Sequence, residues 1–233
     1  MPNMPLNDMI ALVFILVVWL GVGWVIEHPP KRWLSVTVIM QDYRHLWLRE
    51  FVTRNPRVFD GTIIDSLRQG TAFFASASMI AVGGGLALIG NPALLTGLAA
   101  DFPLAGISAD LPLAGDLSQM RVRGVLVLGF LVNALLKFVW ANRLFGYCAI
   151  MMAAVPNNPA DENALLRAGQ AADLNITAAK SFNRGLRSIY FALGALGWLL
   201  GPWGLMATTV VVAMVLLRRD FASDSRKVLL RGR

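Results

Sequence analysis

Only one cysteine, Cys148, stands in the 233 residues, so no intramolecular disulfide can brace the fold, and its apolar surroundings suit a buried, inert thiol. Histidine is almost as scarce. His28 and His45 lie 17 residues apart with no cysteine near either, and zinc needs His, Cys or carboxylates in a cluster. The glycine-flanked serine of a nucleophile elbow is missing, and so is a pair of carboxylates inside an apolar run. The expectation is a protein that is not an enzyme and that carries no cofactor and no metal. Charge is sparse too, at 15% of residues, and Lys and Arg are absent from residues 86 to 120, which instead carry Asp101, Asp110 and Asp116. No cation precedes the first apolar run and no small-residue cleavage pattern follows it, which argues against a cleaved signal peptide.

Apolar residues are what the chain has in excess. At 56% they outnumber what an ordinary soluble domain buries, and several unbroken runs approach or pass the ~20 residues a helix needs to cross a bilayer. The net charge of +7 raises the question of a nucleic-acid partner. The cations, however, sit between and after the apolar runs: seven in residues 27 to 70, five in 141 to 188, six after Leu217. That distribution matches membrane topology and anionic headgroups, and no nucleic-acid-binding motif accompanies it. Membrane lipids and other membrane helices are the expected partners.

The first span, about 9–26, ends at Glu27-His28-Pro29-Pro30-Lys31-Arg32, where prolines and cations stop it. Cation bias puts the N-terminus outside and residue 31 in the cytoplasm of a bacterial inner membrane. Residues 33–53 switch to amphipathic spacing, with Val36, Met40, Tyr43, Trp47 and Phe51 three and four apart. Trp33, Arg44, Trp47 and Arg49 are its candidate lipid-interface residues, although packing beneath a helical bundle would give the same pattern. Asn55-Pro56 breaks this helix, and Asp60 is placed to cap the next.

The second span, about 70–90, carries Ala77, Ala81 and Gly85 every four residues, a face on which another backbone can approach closely. Residues 91–120, with a short Pro-Leu-Ala-Gly duplication at 103 and 112, form the expected outer loop. The third span, about 122–142, continues apolar to Val155 and holds Asn133, Lys137, Asn142 and Arg143, the only strongly polar cluster within a span. Lys137 also lies close enough to the inner boundary to snorkel to the headgroups. Residues 156–188 form a cytoplasmic loop with a helix across Ala160 to Ala179.

The fourth span, about 189–217, is broken at Gly201-Pro202-Trp203-Gly204, with Pro202 as the break and Gly194, Gly197, Gly201 and Gly204 as a second close-packing stripe. One kinked crossing is favoured, because each arm of a hairpin turning there, about a dozen residues, rises only ~18 Å against a core of ~30 Å. It leaves the C-terminal cations on the outer side, against the charge rule. The fold class is therefore all-α: a polytopic helical membrane bundle with four hydrophobic segments and a cytoplasmic amphipathic helix, in a single domain 1–233.

Several short motifs together carry a resemblance. Arg44-His45-Leu46-Trp47, Arg54-Asn55-Pro56-Arg57 with Asp60, Phe73-Phe74-Ala75-Ser76, Asn142-Arg143-Leu144-Phe145-Gly146-Tyr147, Phe182-Asn183-Arg184-Gly185-Leu186-Arg187 and the Gly201-Pro202 break span almost the whole chain. In these the chain resembles domain-of-unknown-function family 599, integral membrane proteins of bacteria and plants. Asn55-Pro56 stands in place of a more acidic dipeptide, and Ser188-Ile189 where a further aromatic is usual. The resemblance implies a helical membrane protein and no catalytic residues.

Three functional readings follow: a scaffold or accessory subunit that packs with other membrane helices; a small channel or transporter for an anionic solute, lined by Asn133, Lys137 and Arg143; or a lipid-binding role for residues 33 to 60.

Overall fold

The computed structural model of the chain describes residues 5–30, 32–91 and 117–231, so most of the expected outer loop, its duplication and its three aspartates lie outside the described residues. The elements are α1 (Leu6–Glu27), α2 (Val36–Phe51), α3 (Val58–Gly90), α4 (Leu117–Ala153), α5 (Ala164–Ala195), a 3-10 turn (Leu196–Leu200), α6 (Pro202–Phe221) and α7 (Asp224–Leu229). No strand occurs among the described residues. Three helical stretches are long and apolar enough to cross a membrane: Leu6–Glu27, Val58–Gly90 and Gln119–Ala153.

Local chemistry explains the boundaries. Pro29 and Pro30 stand one residue past the end of α1, after His28. Ser35 is the N-cap of α2, its backbone extended at φ −74° and ψ 155°; its hydroxyl oxygen accepts from the Val38 N–H at 3.3 Å and donates to the Ile26 carbonyl at 2.7 Å. One side chain thus joins the end of α1 to the start of α2. Ser223 caps α7 in the same way, accepting from the Arg226 N–H. Helix α5 begins inside the expected cytoplasmic loop and runs without interruption to Ala195, 32 residues or roughly 48 Å.

Residues 189–217 do not form the single kinked helix expected of them. Gly201 takes φ 90°, a conformation glycine reaches without penalty, and Pro202 opens α6 at the position where a missing N–H costs nothing. The chain then reverses. Thr208 donates to the Gly194 carbonyl at 2.7 Å, a Cβ on Gly194 would stand 3.0 Å from Val212, and a Cβ on Gly204 would stand 2.5 Å from the Gly197 carbonyl oxygen. These pairings run antiparallel, so the glycines let two arms of one hairpin touch. The length argument that disfavoured a hairpin fails because the arms are not a dozen residues long: α6 alone has 20 residues, about 30 Å.

The chain divides into two compact units. The first comprises Met1–Val25, Ser78–Ala134 and Leu186–Arg219. Its core includes Ala11, Ile15, Phe130, Phe191, Trp198 and Leu205, with Trp19 edge-on to Phe130 at 5.4 Å. Gly85 and Gly124 bring α3 and α4 together there; a Cβ on Gly85 would strike Leu128 at 2.6 Å and one on Gly124 would strike Ile89 at 2.8 Å.

The second unit comprises Ile26–Ala77, Leu135–Gly185 and Asp220–Arg233. Leu48, Phe51, Val52, Ile64, Cys148, Met152, Val155 and four alanines of α5 form its core. Phe74, Phe138 and Phe182 meet with ring centroids 5.4 to 5.5 Å apart, and Gly185 lies where a Cβ would collide with Phe138. The chain's end belongs to this unit by direct contact: Arg226 donates to the Leu34 carbonyl at 2.9 Å and Thr37 to Asp220 at 2.8 Å. The C-terminal segment therefore lies beside the start of α2.

Candidate polar sites

Of the four polar residues expected as a cluster on α4, three find separate partners. Asn133, in the first unit, donates to the Ser188 hydroxyl at 2.6 Å. Lys137, one turn on and partly buried, falls in the second unit. Asn142 donates to the Arg68 carbonyl at 3.0 Å and to the Thr71 hydroxyl at 3.1 Å, which ties α4 to α3. Arg143 is exposed and donates to its own helix neighbour, the Tyr147 hydroxyl, at 2.5 Å.

The small-residue positions divide as well. Ala77 and Ala81 are exposed, whereas Gly85 meets Leu128; Gly194, Gly197 and Gly204 lie between the hairpin arms. Of the interface candidates, Trp33 and Arg49 are exposed, but Arg44 and Trp47 turn inward. Helix α2 buries the face bearing Leu48 and Phe51 and exposes Asp42, His45, Arg49 and Glu50, the orientation of a helix packed on a core.

Asp60 does not cap α3. It is the third residue of that helix and its carboxylate, wholly buried, turns to side chains: Oδ1 accepts from the Trp47 indole at 2.7 Å and from Arg54 at 2.5 Å. Its Oδ2 has no hydrogen-bond partner. Three residues earlier, Arg57 lies over the Phe51 ring at 4.5 Å and donates to the carbonyls of Val155 and Pro156, both at 2.8 Å, and of Val52 at 3.2 Å. A guanidinium here satisfies carbonyls just past the end of α4, which no later turn of helix can reach. Arg184 forms a two-pronged pair with Glu27 at 2.9 and 2.5 Å, and that hydrogen bonding holds its guanidinium above the ordinary arginine value.

Two further groups were not foreseen. In the first unit the Trp198 indole donates to Asp8 at 2.5 Å, with both residues buried. In the second, Arg44 reaches between α4 and α5, where NH1 donates to Asn175 Oδ1; the Asn175 amide nitrogen in turn faces Cys148 Sγ at 3.6 Å. Burial lowers the Arg44 guanidinium below its ordinary value. Helical spacing alone was no guide to Asn175, because a single asparagine in an alanine-rich helix carries no sign of its direction.

A chain whose described elements are all helical, three of them long and apolar enough to cross a membrane, is a helical membrane protein. It belongs to the family described as "Protein of unknown function, DUF599", whose model matches residues 10–225. No curated protein and no solved structure matches it.

Proposed function

We propose that the protein is a non-enzymatic scaffold or accessory subunit of the bacterial inner membrane, which uses an exposed face of α3 to pack against helices of another chain. The observation that carries this reading is the state of α3. Only 6% of its most apolar 18-residue window is buried within the chain, and that exposed surface includes Ser76, Ala77, Ala81, Gly83, Gly84 and Ala87 beside the bulkier Met79, Ile80 and Leu86. At Gly83 and Gly84 nothing described lies within 4 Å of where a Cβ would be. Lipid tails favour bulky side chains no less than helices do, so a run of small residues on an exposed helix is best matched by another backbone at close range.

In this reading the second unit faces the cytoplasm and the N-terminus lies outside. The cation distribution supports it: seven Lys or Arg fall in 26–77, five in 135–185 and four in 220–233, sixteen of the chain's 21, gathered from three distant segments. The hairpin at Gly201 adds a crossing to the four hydrophobic segments, with α5 and α6 as separate arms, and so returns the basic tail to the cytoplasmic side. Helix α2 is then a cytoplasmic helix packed on the core of its own unit.

The test is purification of the tagged chain from native membranes in mild detergent, with the mass of the intact particle measured for the natural chain and for Gly84→Leu. A stoichiometric foreign subunit that is lost in Gly84→Leu, with the variant still folded, supports the scaffold. A particle holding this chain alone, unchanged by Gly84→Leu, rejects it.

A further inference from the structure

We propose that Arg44, positioned by Asn175, is a binding site for a phosphate-type oxyanion, carried on a lipid headgroup or free in solution. A guanidinium has five N–H donors and a permanent charge. Arg44 spends one donor on Asn175 Oδ1 and makes no ion pair with any described carboxylate. Asn175 accepts a hydrogen but contributes no charge, so the cation remains uncompensated in a place that burial already makes costly.

The neighbouring cations of the same unit are satisfied differently: Arg54 has Asp60, Arg184 has Glu27, Arg57 has three carbonyls and Arg167 has the Ala154 carbonyl. Two carboxylates lie two residues from the site in sequence, Asp42 from Arg44 on α2 and Asp173 from Asn175 on α5, each therefore about 200° around its helix; both are exposed, and Asp173 pairs with His45 at 3.5 Å.

The site is built. Asn175 is fully buried, and its amide orientation is fixed by Cys148 on one side and Arg44 on the other. Arg44 itself is only partly buried, and Asn175 engages one of its five donors. Two parallel N–H donors on one guanidinium match the spacing of two oxygens on phosphate or carboxylate. The unit's sixteen basic against ten acidic residues favour the more highly charged of these, phosphate.

The experiment uses the full chain purified in an uncharged detergent without phosphate. Thermal unfolding is followed while inorganic phosphate is titrated against chloride at matched ionic strength, and separately while short-chain phosphatidylglycerol is titrated against phosphatidylcholine. Stabilisation by phosphate identifies a free anion; stabilisation by phosphatidylglycerol alone identifies a headgroup. In either case Arg44→Gln should weaken the apparent affinity about tenfold or more. Asn175→Asp, nearly identical in shape, supplies Arg44 with a carboxylate of its own and should abolish the response while the chain remains folded. No stabilisation of the natural chain by either probe, or an undiminished response in Asn175→Asp, overturns the proposal. It does not depend on the particle mass measured for the scaffold reading, so either reading can fail alone.

Discussion

The hydroxyl of Thr208 donates to the carbonyl of Gly194 at 2.7 Å although fourteen positions separate them in the chain. In one continuous helix these residues would be about 21 Å apart. Gly197 and Gly204 make the contact possible by having no side chain to place between the arms.

Gly197→Val tests that packing. A Cβ at Gly197 would lie 2.8 Å from the Gly204 carbonyl oxygen, a backbone atom that cannot step aside. The expected cost is about 2 kcal/mol, read as a lower unfolding temperature in detergent. Thr208→Val keeps the shape but loses the hydrogen bond, and should cost about 1 kcal/mol. A Gly197→Val variant as stable as the natural chain would mean that the arms are not paired.

The hairpin and the Arg226 contact with Leu34 make a prediction about sidedness. Single cysteines introduced at Trp33 and Ala222, in a chain whose Cys148 is replaced by alanine, should react with a membrane-impermeant thiol reagent under the same conditions. In intact cells both should be protected, and both should label once the membrane is opened. One cysteine labelled and the other protected would contradict the shared side.

Asp60 and Glu27 each accept from an arginine, but burial separates their effects. The Asp60 side chain is wholly buried, and Asp60→Leu strands the Trp47 indole and the Arg54 guanidinium together. Because Arg54 is 37% exposed, the expected loss is about 2 kcal/mol rather than the larger cost of a fully buried pair. Glu27→Gln opposes an Arg184 that is 47% exposed and should cost under about 1 kcal/mol. Denaturation midpoints in the opposite order would refute the ranking.

Arg57→Ala removes three carbonyl contacts and a ring contact at once. About 2 kcal/mol should be lost, since the carbonyls beyond α4 regain water only in part. Hydrogen exchange should quicken at residues 153 to 155 before it changes at Cys148. Uniform acceleration across α4 would assign Arg57 a global role instead.

Much of the fold could be read from the chain. Unbroken apolar runs foretold α1, α3 and α4, and the three-and-four spacing of Val36, Met40, Tyr43, Trp47 and Phe51 foretold a helix over α2. Periodicity says which residues share a face, not what that face meets. That is why the spacing left Arg44 and Trp47 open to either the lipid interface or packing under a bundle, and only the structure points them at Asn175 and Asp60. Asp60 was read as a cap because short-range rules pair a carboxylate with the nearest free N–H groups, and here a tryptophan 13 residues back competed successfully. The polar residues of α4 looked like a cluster because they are close along one helix, yet Asn133, Asn142 and Arg143 are each bound by a different neighbour.

Composition and pattern by themselves determined the helical class, the apolar solvent and the family, since each rests on local properties that every residue carries whatever its neighbours. The tertiary structure alone decided the direction of the chain after Gly201 and the partner of each polar side chain. Gly-Pro permits a kink or a reversal at similar local cost, and only the close fit of Gly194, Gly197 and Gly204 against the returning arm selects the reversal.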